Sequence, residues 1–573
     1  MLLIKNNRLF LFFFLSVIAI QSLLMFQGFD VCDDGFVLTF YQQFFQNPSS
    51  VEYNFIYYLG GLVGGVWNSF FGSLGILGFR ILATIVNSLC FVLTYIILKP
   101  YFKNKFHLLI GISVVLFVNE FGFLSFYHNH LTQLLLLISF VYFQKFFTSK
   151  KNLYLFLGAF VIGVNVWSRA INISFLAFYL IVPFIFFTEK HSLKYFFKRT
   201  YIFVFGIALG IISILGIIFI LNQQDVLYNS FSSVFKLGQE KDTSHNFVDL
   251  IKYYIKTNFY ALKIAGLVLL FTIAIFKIYI KKNIAISWIR IPVIVMSIGM
   301  FLFFSLKNTT ALLYGISFLT IFIILTDDKY YSKEIKFLVF LGGLMLLLCP
   351  LGSGLGVDSS GYIALWITFP MIFLCIEGFK KNNALIVEPL AILKFTFIFS
   401  FFLVKIYQIS TRAYFDKGFR WEKTHIVNSE FSERIYTTKK RADIINDLIK
   451  ELKNYVKPND YLLVYDNIPM IHYLTQTRPY VYNPWISLYD SNSFKSKLKK
   501  AEDEAKVLPV IVQQKFKSIG MEFGKPNEGY MDTDKKTHYY DNDIIEQTTL
   551  NFIKNNNYNL AWSNEYFNIY SIN

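Results

Sequence analysis

The stretch "LFLFFFLSVIAIQSLLMFQGFDVCDDGF", residues 9–36, passes from a long apolar run directly to three carboxylates, Asp30, Asp33 and Asp34. A helix of about 20 apolar residues is long enough to cross the ~30 Å hydrocarbon core of a bilayer. Runs of this kind recur along the 573-residue chain, which is 55% hydrophobic and only 16% charged. The sequence therefore predicts a polytopic α-helical membrane protein.

Apolar length predicts about thirteen membrane spans. They run over residues 9–27, 76–98, 106–120, 131–148, 153–168, 171–188, 201–221, 260–280, 284–305, 310–326, 336–350, 362–377 and 386–405. We divide the chain into a first transmembrane module at 1–221, a second at 222–405 and a C-terminal domain at 406–573. The first module contains an outer loop at 28–75, which is expected to form two short interfacial helices.

Positive charge is concentrated in every second connection between these spans. Such connections contain Lys5 and Arg8, then Lys99, Lys103 and Lys105, then Lys150 and Lys151, and then Lys190, Lys194, Lys198 and Arg199. Cytoplasmic loops carry an excess of Lys and Arg. We therefore expect a multi-pass protein of the cytoplasmic (inner) membrane, with its N-terminus inside and its C-terminal domain outside. This location of the charge explains the net charge of +17 without a nucleic-acid partner.

The C-terminal domain alternates helix and strand patterns. The segment "TKKRADIINDLIKELKNYV" has apolar residues on one helical face, and "PNDYLLVYD" resembles a buried strand. Further alternation along residues 406–573 predicts a small α/β layer domain. The domain has no glycine-rich phosphate loop, so it is not expected to bind a nucleotide.

The three carboxylates after the first span have two interpretations. An Asp at the N-terminus of a helix accepts hydrogen bonds from free backbone N–H groups and suits the positive end of the helix dipole. A carboxylate held close to a hydroxyl can instead act as a general base. The residues alone leave both interpretations open for Asp30, Asp33 and Asp34.

The arrangement of one span, an outer acidic pair, two interfacial helices and a second span resembles the GT-C superfamily of membrane glycosyltransferases. The similarity is to the branch that contains protein O-mannosyltransferases and aminoarabinose transferases, and it covers the first transmembrane module. In that branch an Asp at the start of the first outer loop is the catalytic base. The resemblance implies this role for Asp33 or Asp34, and we prefer Asp34 because Gly35 permits a close approach. It also implies that neither a metal nor another cofactor is needed, since the lipid-linked sugar is a substrate.

Three basic residues are candidates for binding a sugar phosphate. Arg80 begins the second span and Arg169 lies in the turn of "NVWSRAINIS". An arginine can hold a phosphate through two parallel hydrogen bonds, but it can equally anchor a helix by reaching the lipid head groups. Lys307 is the third candidate, because a charge at this depth usually faces the interior of the helix bundle.

The second outer loop, "NEFGFLSFYHNHLTQ", contains Glu120, His128 and His130. The histidine spacing does not match a zinc-binding pair on one helix face, so we expect no metal site. Glu120 and His128 are instead candidates for contacting the sugar or the acceptor, since GT-C enzymes sometimes use an acidic residue in this loop. Asp358, in a glycine-rich outer loop, is either a further substrate contact or part of a connecting turn.

The function expected from this resemblance is an inverting glycosyltransferase of the cell envelope. It would move a sugar from a polyprenyl-phosphate donor to a glycan, lipid or protein acceptor, for example in polysaccharide assembly. Three alternatives remain: a flippase or transporter for lipid-linked oligosaccharides, an unrelated polysaccharide polymerase or ligase, and a GT-C-like scaffold without catalytic activity. The sequence does not identify the sugar, the acceptor, the prenyl length or the oligomeric state.

Overall fold

The computed structural model describes residues 8–118, 125–240, 246–281, 287–327, 329–382, 384–465, 467–504, 507–519, 523–526 and 542–572. Its first helices are α1 (Arg8–Leu24), α2 (Asp33–Gln43), α3 (Tyr58–Phe71), α4 (Gly75–Leu98), α5 (Lys105–Phe117), α6 (His128–Ser149), α7 (Asn152–Asn165), α8 (Ile181–Glu189) and α9 (Leu193–Ile220). They are followed by α10 (Gln224–Leu237), α11 (Phe247–Lys281), α12 (Ser287–Thr326), α13 (Lys333–Leu348), α14 (Val357–Ser360), α15 (Leu365–Thr368), α16 (Met371–Asn382) and α17 (Ala384–Thr411). Short 3-10 helices lie at Pro48–Tyr57, Gly72–Leu74, Val166–Ser168, Ala170–Leu180, Gly361–Ala364, Arg420–Glu422 and Ile486–Leu488.

The protein is a multi-pass helical membrane protein, as predicted. Within the described residues, seven helical segments are long and apolar enough to span a membrane. They are Pro48–Leu98, His128–Ser149, Ala170–Glu189, Leu193–Ile220, Phe247–Ile278, Arg290–Thr326 and Val387–Thr411. A bent pair, Val357–Thr368 and Met371–Gly378, meets at 46° and adds an eighth span if it is counted as one.

The predicted count of thirteen spans is not confirmed, because several apolar runs form helices that are short. Helix α5 has 13 residues, which at 1.5 Å per residue is about 20 Å and less than the hydrocarbon core. The predicted spans at 284–305 and 310–326 lie within the single helix α12, apart from residues 284–286, which are outside the described residues. That helix is interrupted at Asn308, whose backbone is non-helical (φ −164°, ψ 91°).

The outer loop at 28–75 contains two helical segments, as its sequence indicates. The first is α2, and the second begins with the 3-10 turn at Pro48–Tyr57 and continues into α3. Helix α2 does not lie on a lipid surface, because its residues from Asp34 to Tyr41 are all buried. It is held between α3 and residues from the far end of the chain, and this position fixes its N-terminal carboxylates.

Residues after α17 form a mixed α/β arrangement. Two short hairpins come first, β1 (Arg412–Ala413) with β2 (Asp416–Lys417), and β3 (His425–Ile426) with β4 (Tyr436–Thr437). The main sheet contains β5 (Tyr461–Tyr465), β6 (Arg478–Pro479), β7 (Val510–Gln514), β8 (Asn559–Ser563) and β9 (Phe567–Ser571) in the order β6-β5-β7-β9-β8. The helices are α18 (Lys439–Leu452), α19 (Met470–Thr475), α20 (Ser491–Glu504) and α21 (Asn542–Asn555).

The sheet is parallel at β6, β5 and β7 and antiparallel from β7 to β9 and β8. Strand β5 lies inside the parallel part, which explains why its sequence is an almost unbroken apolar run rather than an alternating one. Helix α18 buries one face through Ala442, Ile445, Leu448 and Leu452, whose spacing follows the helical period. The segment patterns predicted from the sequence are therefore present in this region.

This C-terminal region contacts the outer loop directly. The backbone amide of Gly28 donates to the Tyr436 carbonyl at 2.8 Å, and the Tyr436 amide donates to the Phe26 carbonyl at 2.7 Å. Asp416 is fully buried and accepts hydrogen bonds from the Phe29 amide at 2.8 Å and from Lys423 Nζ at 2.7 Å. These bonds hold the segment after α17 against the start of α2.

Candidate functional site

Asp30 is the carboxylate that caps helix α2. Its two oxygens accept hydrogen bonds from the backbone amides of Cys32 and Asp34, each at 2.8 Å. Burial, together with the neighbouring charges of Asp34 and Asp33, raises the pKa of Asp30 well above its usual value, although the backbone hydrogen bonds oppose this change. The capping interpretation therefore applies to Asp30, because its oxygens are engaged with the backbone that begins the helix.

Asp34 forms a buried ion pair with Arg80. The distance between Asp34 Oδ2 and Arg80 Nη2 is 3.3 Å, and the two side chains are only 2% and 3% exposed. Burial raises the pKa of Asp34, while Arg80 and Ser125 lower it. The neighbouring Gly35 makes room for α19, because a Cβ at this position would lie 2.1 Å from the Met470 nitrogen. That space is occupied by protein backbone, so the reason for preferring Asp34 as the base does not hold.

Arg80 is held by backbone carbonyls as well as by Asp34. Its guanidinium donates to Met25 at 2.8 Å, to Gln27 at 3.3 Å and to Gly28 at 2.7 Å. A guanidinium used in this way joins the end of α1 to α4 and orients Asp34. These contacts favour a positioning role for Arg80 over the phosphate contact considered from the sequence.

Asp33 is in a different environment from its neighbour. Its side chain is partly exposed, whereas that of Asp34 is buried. Burial raises the pKa of Asp33 to about 6, the nearby Asp34 adds to this effect, and a hydrogen bond from Tyr414 opposes it. The Tyr414 hydroxyl donates to Asp33 Oδ2. Asp33 is thus a partly exposed carboxylate with a pKa close to neutrality.

Arg169 is a buried cation with no acidic partner among the described residues. It follows the 3-10 turn at Val166–Ser168 with an extended backbone (φ −151°, ψ 139°), and its side chain is 6% exposed. Its Nη1 has no hydrogen-bond partner in the described chain, and neither do Trp167 Nε1 and Ser168 Oγ. A buried charge without a partner is costly. This turn therefore has the properties of an anion-binding site.

A cluster of three aromatic rings lies near both Asp33 and Arg169. The Tyr57 ring lies parallel to the His128 ring, with centroids 4.0 Å apart, and the Tyr127 ring lies 3.8 Å from His128. Asp33 and Arg169 both act electrostatically on Tyr57 and on Tyr127. Burial is the main cause that raises the pKa of Tyr127, followed by the charge of Asp33, whereas Arg169 lowers it. A carboxylate and a guanidinium therefore lie near the same aromatic cluster.

The other predicted site residues are arranged differently. Lys307 is exposed on α12, with Nζ 5.9 Å from the Tyr260 ring centroid and 5.7 Å from that of Phe303. Asp358 is exposed and accepts a 2.7 Å hydrogen bond from Asn308. These contacts do not bring Lys307 or Asp358 to Asp33. Glu120 lies outside the described residues.

Two groups of the site were not identified from the sequence. Tyr414 follows the last long helix and meets Asp33 only because the C-terminal region folds back on the outer loop, so no local pattern indicates it. Tyr57 and Tyr127 are two of many tyrosines in this chain, although Tyr127 directly precedes His128. Within the described residues, no group of three His, Cys, Asp or Glu side chains is placed to hold a metal ion.

Comparison with known proteins adds no assignment to this geometry. No known family model matches the chain, and no curated protein sequence matches it.

Proposed function

We propose that this protein is an inverting glycosyltransferase that moves a sugar from a polyprenyl-phosphate donor to an acceptor hydroxyl. The observation that supports this proposal best is that Asp33 and Arg169 both lie near one aromatic cluster and act on its tyrosines. The pair would provide a base for the acceptor and a cation for the leaving phosphate, and the rings would provide a surface for the sugar. The resemblance of the first module to GT-C enzymes is consistent with this assignment.

Asp33 is the proposed base. Its carboxylate takes the proton of the acceptor hydroxyl as the hydroxyl oxygen forms a bond with the anomeric carbon. The bond from that carbon to the phosphate oxygen breaks, and the electron pair leaves with the polyprenyl phosphate. Attack opposite the leaving group inverts the anomeric centre. A pKa near 6 suits a base that is ionised at neutral pH but still accepts a proton.

Arg169 is the proposed phosphate ligand. The departing polyprenyl phosphate gains negative charge during the reaction, and a guanidinium fixed in a buried site stabilises that charge more than it would in water. The Arg169 Nη1 group has no partner in the described chain, and the buried donors of Trp167 and Ser168 precede it in sequence. A phosphate on this turn would give the buried charge its counter-ion.

Tyr57 and Tyr127 are the proposed sugar contacts. Both rings are partly exposed, and both lie within the electrostatic influence of the base and the cation. A tyrosine has an apolar face that can pack against the C–H groups of a sugar ring and a hydroxyl that can bind its oxygens. His128 is buried and packs against both tyrosine rings. Its proposed role is to hold the rings in place, not to contact the sugar.

The proposal requires the topology predicted from charge. The site would open to the outer face of the cytoplasmic membrane, with the basic connections inside and residues 406–573 forming an outer α/β domain. The acceptor, which is a glycan, a lipid or a protein, would approach between that domain and the outer loop. The donor would reach the site from the membrane, where its prenyl chain remains.

The test uses full-length protein in lipid with a panel of polyprenyl-phosphate sugars and acceptors. Donor binding and donor turnover are measured separately for the wild type and for Asp33→Asn, Asp34→Asn and Arg169→Gln. We expect Asp33→Asn to bind donor normally and to lose about 100-fold or more of the turnover. Arg169→Gln should weaken donor binding as well as turnover.

Asp358→Asn is the matched control, because it removes an exposed carboxylate that contacts Asn308. It should retain wild-type turnover. Binding without turnover in the wild type across the whole panel would contradict the enzyme assignment. Donor movement between leaflets in the absence of any acceptor would then identify a flippase, and its absence would favour a scaffold without catalysis.

A further inference from the structure

Besides Arg169, another buried guanidinium has donors without a hydrogen-bond partner among the described residues, and it lies at the basic end of the membrane helices. Arg199 is in the first turns of α9, and Lys150 follows the last residue of α6. His128 begins α6, whose 22 residues correspond to about 33 Å at 1.5 Å per residue. The Arg199 region is therefore separated from the proposed glycosyl-transfer site by the length of a membrane helix, and it has no part in that function.

The Arg199 side chain is held in one orientation. Its Nη2 donates to the Lys150 carbonyl at 3.1 Å. Its guanidinium carbon lies 4.6 Å from the Tyr195 ring centroid and 5.0 Å from that of Phe146. Aromatic faces on a guanidinium leave its edge available for hydrogen bonding. The contacts fix the group without neutralising its charge.

The remaining donors of this group have no partner. Arg199 is 8% exposed, and neither its Nε nor its Nη1 has a hydrogen-bond partner among the described residues. The buried Tyr195 hydroxyl is also unpaired in that part of the chain. Nη2 has a second N–H besides the one that the Lys150 carbonyl accepts. It shares an edge of the guanidinium with Nε or with Nη1, and such an edge binds two oxygens of a carboxylate or phosphate. The site therefore offers paired donors to an anion.

The surrounding charge favours an anion that comes from outside the chain. Glu189 is the nearby carboxylate, and it is already paired with Lys150 and with His191 Nε2 at 2.8 Å. Lys194 and Lys198 lie on the same helix as Arg199 and are exposed. Basic side chains at the end of membrane helices are typical of sites for anionic lipid head groups.

We propose that Arg199 and Tyr195 bind the phosphate group of an anionic membrane lipid. One phosphate oxygen accepts from Nε or Nη1 of Arg199, a second accepts from the remaining N–H of Nη2, and the Tyr195 hydroxyl donates to the same group. The lipid chains remain beside α9, whose outward side chains are apolar and exposed. The bound lipid gives the buried guanidinium its counter-ion and joins α6 to α9.

The experiment measures lipid binding by the full-length protein after exchange into a neutral detergent. Phosphatidylglycerol and diacylglycerol, which lacks the phosphate, are added separately, and retained lipid is read by native mass spectrometry. We expect the wild type to retain phosphatidylglycerol but not diacylglycerol. Arg199→Gln should weaken phosphatidylglycerol binding about tenfold or more, which corresponds to the loss of a paired charge-assisted contact.

Lys198→Gln is the matched control, because it removes one positive charge from an exposed position next to Arg199. It should weaken lipid binding much less than Arg199→Gln does, because an exposed charge contributes only to the surrounding field. Equal binding by Arg199→Gln and the wild type would overturn the proposal, and so would an equal loss in Lys198→Gln, which would indicate general surface charge. Tyr195→Phe keeps the ring but removes the hydroxyl, and it should weaken binding several-fold.

Tyr195→Phe also tests the proposed lipid site if Arg199→Gln does not fold. Unchanged phosphatidylglycerol binding by Tyr195→Phe would then reject the site. A parallel series with inorganic phosphate identifies the source of the phosphate. Protection of the wild type, but not of Arg199→Gln, against thermal unfolding by millimolar phosphate would assign a soluble ligand. Protection by phosphatidylglycerol alone would assign the lipid.

Discussion

Asp33 and Asp34 are adjacent in the sequence but have opposite surroundings, and this contrast is the reason for proposing Asp33 as the base. Asp34 is buried against Arg80, whereas Asp33 is partly exposed and accepts a hydrogen bond from Tyr414. A donor that binds the ionised form of a carboxylate lowers its pKa. We therefore expect Tyr414→Phe to raise the pKa of Asp33 from about 6. The acidic limb of the pH–rate profile should move to higher pH by about one unit.

The pH–rate profile of Tyr414→Phe distinguishes a change in the pKa of Asp33 from a loss of structure. In the proposed mechanism the base is active only when ionised, so activity should fall as pH decreases through the pKa of Asp33, and a higher pKa should move that fall upward. Tyr407→Phe changes an exposed tyrosine of α17 and should leave the profile unchanged. An equal loss of activity at every pH in Tyr414→Phe would show that the tyrosine only supports folding.

At the scale of elements, the close approach of α2 and α19 depends on Gly35. A Cβ at this position would lie 2.1 Å from the backbone nitrogen of Met470, and a backbone cannot move aside as a flexible side chain can. We expect Gly35→Ala to destabilise the protein by about 1–3 kcal/mol, which lowers the thermal unfolding midpoint. Gly216→Ala in α9 is the control, because its Cβ would meet nothing within 4 Å. Equal midpoints for Gly35→Ala and the wild type would contradict the observed packing.

The elements also show what the sequence could predict. The spacing of Ala442, Ile445, Leu448 and Leu452 predicted α18, and the apolar run of residues 461–465 predicted β5, because each signal is local. The burial of α2 was not predicted, since it depends on α19 more than 400 residues away, where the Tyr473 carbonyl accepts a hydrogen bond from Gln42 Nε2. For the same reason the sequence indicated the acidic pair but neither Tyr414 nor the division of roles between Asp33 and Asp34.

At the scale of the whole molecule, one buried cluster joins the membrane part to the C-terminal region. Asp416 is within 2.7 Å of Lys423 Nζ and 3.5 Å of Arg441 Nε, and all three side chains are at most 1% exposed. Asp416 also accepts from the Phe29 amide, and Arg441 donates to the Phe29 carbonyl at 3.1 Å. One carboxylate thus pairs with two cations and fixes the loop that leads to α2.

Removal of that carboxylate should therefore affect stability and activity together. Asp416→Asn leaves two buried cations without their partner, and breaking a buried pair in this way costs about 3–5 kcal/mol. The hairpin that carries Tyr414 should then leave Asp33, so that donor turnover falls while protease cleavage after α17 accelerates. Asp443→Asn breaks only an exposed pair with Lys439, which is worth about 0–1 kcal/mol, and should change neither readout. Full turnover in Asp416→Asn would show that the C-terminal region is not required to hold the site together.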